Sequence, residues 1–179
     1  DAAALAIHTP RGIIFHTGDF KFDLTPIGPM CNLQKMASIG SKGVALLLSD
    51  STNALNEGMS LSESKVDAAL SEIFDNHLTE RIIIATFASN IFRIKHIVET
   101  CKQYNRKIVV FGRSMENAID LALNNGLFTD RDQFIDAYQA NSLKRNEVCI
   151  LCTGTQGEPL AALSRIANGV HKQISLLNF

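Results

Sequence analysis

Residues 81–126 read RIIIATFASNIFRIKHIVETCKQYNRKIVVFGRSMENAIDLALNNG, two passes of one pattern. Arg81 to Phe87 is an apolar, β-branched run too short for a helix, and it gives way to Ile91, Ile94, Ile97, Val98 and Cys101 at helical spacing. Lys107 to Phe111 repeats the strand and Ser114 to Asn125 repeats the helix, with Gly126 placed to end it. Parallel strands must be joined by crossovers, so this alternation with short joints predicts an α/β fold with a mostly parallel sheet flanked by helices on both faces. The pattern continues with a strand from Glu147 to Thr153. A helix follows, with Pro159 in its first turn and Leu163 and Ile166 on its apolar face, and a last strand is expected from about Lys172 to Leu177.

Upstream the grammar differs. Ser60-Leu61-Ser62-Glu63 has the form of a capping box opening a helix with Val66, Ala69, Leu70, Ile73 and Phe74 on one face. Before it, Leu5 to Thr9 and Ile13 to Thr17 flank Pro10-Arg11-Gly12 as a hairpin. Beyond the Pro26 to Pro29 loop, Val44-Ala45-Leu46-Leu47-Leu48 is a continuous apolar strand, a pattern expected where both faces are buried. The change of grammar sets a domain boundary between residues 1–57 and 58–179.

The 179 residues, 46% apolar, suffice for a real core, and a formal net charge of −1 gives no global field toward nucleic acid, although 17 Lys and Arg leave room for local basic patches. No apolar run approaches membrane-spanning length and no basic leader opens the chain, so neither a membrane nor a secretory role is expected. Cys31, Cys101, Cys149 and Cys152 lack the spacing of a structural zinc site. Cys149 and Cys152, three apart on a strand, must point to opposite faces, and all four read as reduced cytosolic thiols.

In a parallel α/β sheet, ligands gather outside the carboxyl ends of the strands. Three such ends carry polar groups here: Ala88-Ser89-Asn90 with Arg93 one turn on, Gly112-Arg113-Ser114, and Thr153-Gly154-Thr155-Gln156-Gly157. Hydroxyls, amides, guanidinium forks and glycine-freed backbone amides suit phosphate oxygens; singly, each residue also reads as a cap, a turn or solvated surface. No P-loop and no dinucleotide fingerprint occurs. In His16-Thr17-Gly18-Asp19, the carboxylate of Asp19 can leave a strand end toward a hard cation or cap its own turn. Asp50 ends an apolar strand, where an acid needs a partner: it caps the turn through Ser51-Thr52-Asn53 or orients a catalytic group. His8, His16, His77, His96 and His171 form no paired ligand motif, so a complete metal site cannot be assembled from this sequence.

His16-Thr17-Gly18-Asp19-Phe20-Lys21-Phe22-Asp23, Leu48-Ser49-Asp50-Ser51-Thr52-Asn53, Thr86-Phe87-Ala88-Ser89-Asn90-Ile91, Phe111-Gly112-Arg113-Ser114-Met115 and Cys152-Thr153-Gly154-Thr155-Gln156-Gly157-Glu158-Pro159, followed by Ala161-Ala162-Leu163-Ser164-Arg165, together resemble bacterial ribonuclease J in content and order. The resemblance implies part of a metallo-β-lactamase β-sheet in 1–57, followed by most of a β-CASP domain in 58–179. It implies a zinc-dependent ribonuclease, with two ions in the full-length enzyme, that cleaves single-stranded RNA in the cytoplasm. It carries Asp19 over as the ligand bridging two metals and Asp50 as a support for a catalytic histidine. Ser89, Asn90, Arg93, Arg113, Ser114, Thr155, Gln156 and Gly157 become lining of an RNA channel. The family's histidine-rich metal motif would precede Asp1 and its later β-CASP histidines would follow Phe179. The chain on its own is therefore expected to hold no complete zinc site and to be inactive. Full-length family members are expected to form homo-oligomers or to pair with a paralogue. A rival reading makes the parent a non-catalytic paralogue serving as RNA-binding scaffold in a decay complex. A small-molecule hydrolase of the same superfamily is less consistent with an inserted domain.

Overall fold

The computed structural model describes residues 3–174 and divides into two compact units, Asp1–Lys65 and Val66–Phe179. The first unit is built on a three-stranded sheet in the order β1-β2-β3, with β1 Leu5–Thr9, β2 Gly12–His16 and β3 Val44–Leu48. β1 and β2 form the expected hairpin, while β3 runs parallel to β2. Gly12, at φ +125°, is needed at the bend, because a Cβ there would lie 2.9 Å from that of Ala45.

β3 corrects the sequence reading. All five of its residues are exposed, Leu47 by 58%. A continuous apolar strand needs a layer on each face, and this unit has few elements to supply one. Its helix α1, Leu33–Gly40, has Leu33, Met36 and Ala37 at helical spacing but buries no residue, and only Ile13 and Phe15 of β2 are buried among the described residues of this unit.

The capping box is also corrected. α2 runs Glu63–Asn76, so Ser60 lies outside it. The Glu63 amide donates instead to Asp23 Oδ2 at 2.7 Å, across forty residues of sequence. Asp23 Oδ1 accepts from the Thr25 amide at 3.0 Å, and Lys21 stands 3.7 Å away. The Glu63 amide and then the Ser62 hydroxyl stabilise the carboxylate and lower its pKa from 3.8 to about 2. A depressed carboxyl pKa contributes stability that is complete above the unfolded value and is lost as pH falls through the folded one. Asp23→Asn should therefore lower the melting temperature at pH 6, with the gap to wild type closing as pH drops from about 4 toward 2. A gap that stays constant over that range would remove the charge of Asp23 from the helix cap.

The second unit holds a four-stranded parallel sheet in the order β4-β7-β5-β6, with β4 Ile82–Ala85, β5 Lys107–Phe111, β6 Phe134–Ile135 and β7 Val148–Cys152. β7 is buried at all five positions. Its side chains alternate: Cys149 and Leu151 enter a core with Phe74 of α2, residues of α3 (Ile91–Gln103) and residues of α4 (Arg113–Asn124). Val148, Ile150 and Cys152 enter another with Ala140 of α5 (Ala137–Ala140) and Ala162 and Ile166 of α6 (Ala162–Ala167). Helices thus cover both faces, and the two cysteines point oppositely as their spacing requires. α6 starts after Pro159, which lies in the preceding turn rather than in the helix. Residues 172–174 are not strand, and the rest of the strand expected there lies outside the described residues.

Candidate nucleic-acid interface

Because β4, β7 and β5 are parallel neighbours, with Ala85 and Phe111 both registered against Cys152, their carboxyl ends form one rim. The pairing runs one residue further on each side: the Thr86 amide donates to the Cys152 carbonyl at 3.0 Å and the Thr153 amide to that of Phe111 at 3.4 Å. The three polar loops of the sequence reading therefore leave the sheet side by side. Gly112, at φ +111°, lets the middle approach occur, since a Cβ there would meet Thr153 Oγ1 at 2.6 Å.

The loops are built differently. Asn90 caps α3, its side chain accepting from the Arg93 amide at 3.2 Å, while Ser89 stays exposed. Gly112 caps α4 without a side chain, so the first-turn amides of that helix keep no capping partner, and Ser114 lies inside the helix rather than at its cap. Thr155, Gln156 and Gly157 form an exposed turn, closed by the Gly157 amide on the Gly154 carbonyl at 3.2 Å and by the Gln156 amide on Glu158 Oε2 at 3.2 Å.

A cleft of about 660 Å³ opens where β5 and β7 end, lined by Arg113, Ser114, Asn117, Thr153, Arg165 and His171 among others. Of the residues assigned to RNA from sequence, Arg113 and Ser114 line it; Ser89, Asn90, Arg93, Thr155, Gln156 and Gly157 do not. Sequence reasoning misses Arg165 and His171 as site residues. The amides of Val170 and His171 both donate to the Arg165 carbonyl, at 3.0 and 3.1 Å, which seats the imidazole beside α6. His171 packs edge-on against Phe111 at 4.7 Å between centroids, and burial followed by the Arg165 charge lowers its pKa.

In the first unit, the Thr17 amide donates to the Leu48 carbonyl at 3.0 Å and the Asp50 amide to Thr17 Oγ1 at 3.0 Å, so the loops carrying Asp19 and Asp50 lie at one end of the β2-β3 pair. The Asp50 carboxylate finds its partner locally. Thr52 donates its hydroxyl at 2.6 Å and its amide at 3.0 Å, and these bonds lower the Asp50 pKa. His16 Nδ1 accepts from the Gly18 amide at 3.0 Å, a structural use of the ring. Asp19 is exposed and makes no hydrogen bond or ion pair among the described residues. No group of three or more His, Cys, Asp or Glu side chains among the described residues could hold a metal ion, so the residues present do not by themselves fit the two zinc ions that the resemblance implies. The cysteines are unbridged; a Cys101 contact and burial raise Cys149 well above the ordinary thiol, and burial raises Cys152 to about 11.

Residues 79–178, more than half of the 179, match the family described as the β-CASP domain of ribonuclease J. The chain belongs to the ribonuclease J family. It is 46% identical to Ribonuclease J 1 of Streptococcus pyogenes serotype M3, over 98% of this chain and 31% of that protein. Identity is 45% with Ribonuclease J of a Synechocystis species and 41% with Ribonuclease J2 of Bacillus subtilis, again over 98% of this chain but 28% and 32% of theirs. The chain thus spans about a third or less of these relatives' length. The solved structure of a protein of unknown function from Enterococcus faecalis aligns with a TM-score of 0.56 over 86% of this chain and 38% of that one. At 14% identity that is a likeness of fold alone. Among the described residues, no helix is long and apolar enough to cross a membrane.

Proposed function

We propose that this chain is part of a metal-dependent ribonuclease that cleaves single-stranded RNA in the cytoplasm, with the rim of the parallel sheet as its RNA-contacting surface. Residues 1–57 are assigned to the end of the first metallo-β-lactamase segment and 58–179 to the β-CASP domain. The observation that carries the reading is the side-by-side exit of three loops rich in hydroxyls, amides and arginines from β4, β7 and β5, inside the stretch that matches the ribonuclease J family. Asp19 and Asp50 are assigned to the catalytic centre of the longer protein, Asp19 as one zinc ligand whose partners lie outside this chain and Asp50 as a positioning residue. Alone, the chain binds RNA without cleaving it.

The test is a binding titration of labelled single-stranded RNA at several salt concentrations, with wild type, Arg93→Ala and Arg113→Ala. A variant that no longer neutralises one phosphate should show a slope of log affinity against log salt that is shallower by about 0.7. RNA binding that is absent, or that does not weaken with salt, overturns the reading.

A further inference from the structure

The cleft beside β5 and β7 combines groups that the family resemblance left unassigned with groups it placed on RNA. Arg113 projects from the first turn of α4 and Arg165 from α6; neither guanidinium has an ion-pair or hydrogen-bond partner among the described residues. Glu116, also on the lining, is the carboxylate that opposes them, so two guanidiniums against one acid leave the cleft net positive by one charge before His171 is counted. His171 Nδ1 accepts from the Gln173 amide at 3.4 Å. That bond leaves the proton of the neutral ring on Nε2, where it is free to donate. Burial and Arg165 favour this neutral form. Two guanidiniums without a partner among the described residues on the lining of one cleft, together with uncapped first-turn amides of α4, suit a shared anion.

We propose that Arg165 and His171 form, with Arg113, Ser114 and the first-turn amides of α4, a seat for a single phosphate of an RNA backbone. The inference rests on the proposed RNA interface and names two residues of it. Arg165 supplies a fork to two phosphate oxygens, Ser114 a hydroxyl, and His171 a donor that strengthens when a bound phosphate favours the imidazolium. The charged groups around His171 are Arg165 on α6 and Arg113 and Glu116 on α4, and a phosphate shifts that balance toward the protonated ring.

The experiment follows amide and imidazole NMR signals of the chain while inorganic phosphate, adenosine monophosphate or a short single-stranded RNA is added. The RNA should shift Arg113, Ser114 and the His171 ring together. Arg165→Ala should weaken RNA binding roughly 10-fold and Arg165→Glu more, with unchanged melting temperatures. Wild-type affinity should rise from pH 8 to pH 6 more than that of His171→Gln. Shifts at the cleft from phosphate or the mononucleotide alone, with RNA leaving it untouched, would make this a free-phosphate site and overturn the proposal. RNA binding with wild-type affinity in both Arg165 variants also overturns it while leaving the wider interface standing. No RNA binding by the wild-type chain rejects that interface itself.

Discussion

Arg106→Ala should destabilise residues 66–179 by about 3 kcal/mol or more, a loss at the upper end for single substitutions. Arg106 is 1% exposed, yet it carries a charge with no carboxylate bound to it among the described residues. Carbonyls hold it instead: Nη1 donates to Glu80 at 2.7 Å and Nη2 to His77, both in the turn after α2. The guanidinium lies over the Phe74 ring, 5.4 Å from its centroid. Its backbone joins further elements, the amide donating to Cys101 in α3 at 2.8 Å and the carbonyl accepting from Gln133 beside β6. Charged hydrogen bonds contribute about 1.5–3 kcal/mol each and a desolvated cation–π contact about 2, and truncation adds a cavity. Lys should rescue little, since an ammonium cannot reproduce the planar fork that reaches two carbonyls while its centre sits over an aromatic ring. Denaturant unfolding would show this as a lower midpoint with unchanged slope. Stability within a few tenths of a kcal/mol of wild type would mean that water replaces the guanidinium at no cost.

Arg106 also marks the limit of what the sequence discloses. β5 and the helices α3 and α4 are legible because each is long enough to show its own period, and their order predicts the sheet and its polar rim. β6 spans two residues and α5 four, below any window in which periodicity can be read. The contacts that matter most at element ends join distant residues. Asp23 caps a helix forty positions away, where a local capping box is the nearer explanation, and Arg106 reaches back to the turn after α2. The cleft is half legible for the same reason. Arg113 and Ser114 sit directly after a strand, where chemistry is expected, whereas His171 follows a helix and is brought alongside Arg165 only by two backbone bonds to one carbonyl. The apolar run of β3 does form a strand but is not covered, since a pattern reports what a segment requires and not whether a neighbour meets the requirement.

Asp19→Ala should leave the chain's melting temperature unchanged while reducing RNA cleavage by the full-length enzyme by at least about 100-fold, with a matching loss of bound metal. Asp19 suits this test because of what it lacks. Asp23 caps a helix and Asp50 holds its own turn through Thr52, so substituting either confounds function with stability. Asp19 is exposed and has no hydrogen bond or ion pair among the described residues, and it sits one residue past Gly18, whose φ of +61° sets the turn. Gly18 is fixed there by close approach, because a Cβ would lie 2.8 Å from the Ala3 carbonyl oxygen. A side chain on a positioned backbone, without a structural partner, costs little to remove from the fold. Any large effect must then come from something the carboxylate meets in the longer protein. Cleavage assays on the full-length enzyme, paired with elemental analysis of bound zinc and melting of the variant, separate the cases. Loss of both turnover and zinc with an intact fold assigns Asp19 to the metal centre; wild-type turnover removes it. Asp19→Asn sharpens the distinction: it keeps the shape and one acceptor oxygen but not the charge, so activity should stay low if Asp19 serves to neutralise cations and return in part if it only bonds a neighbouring loop.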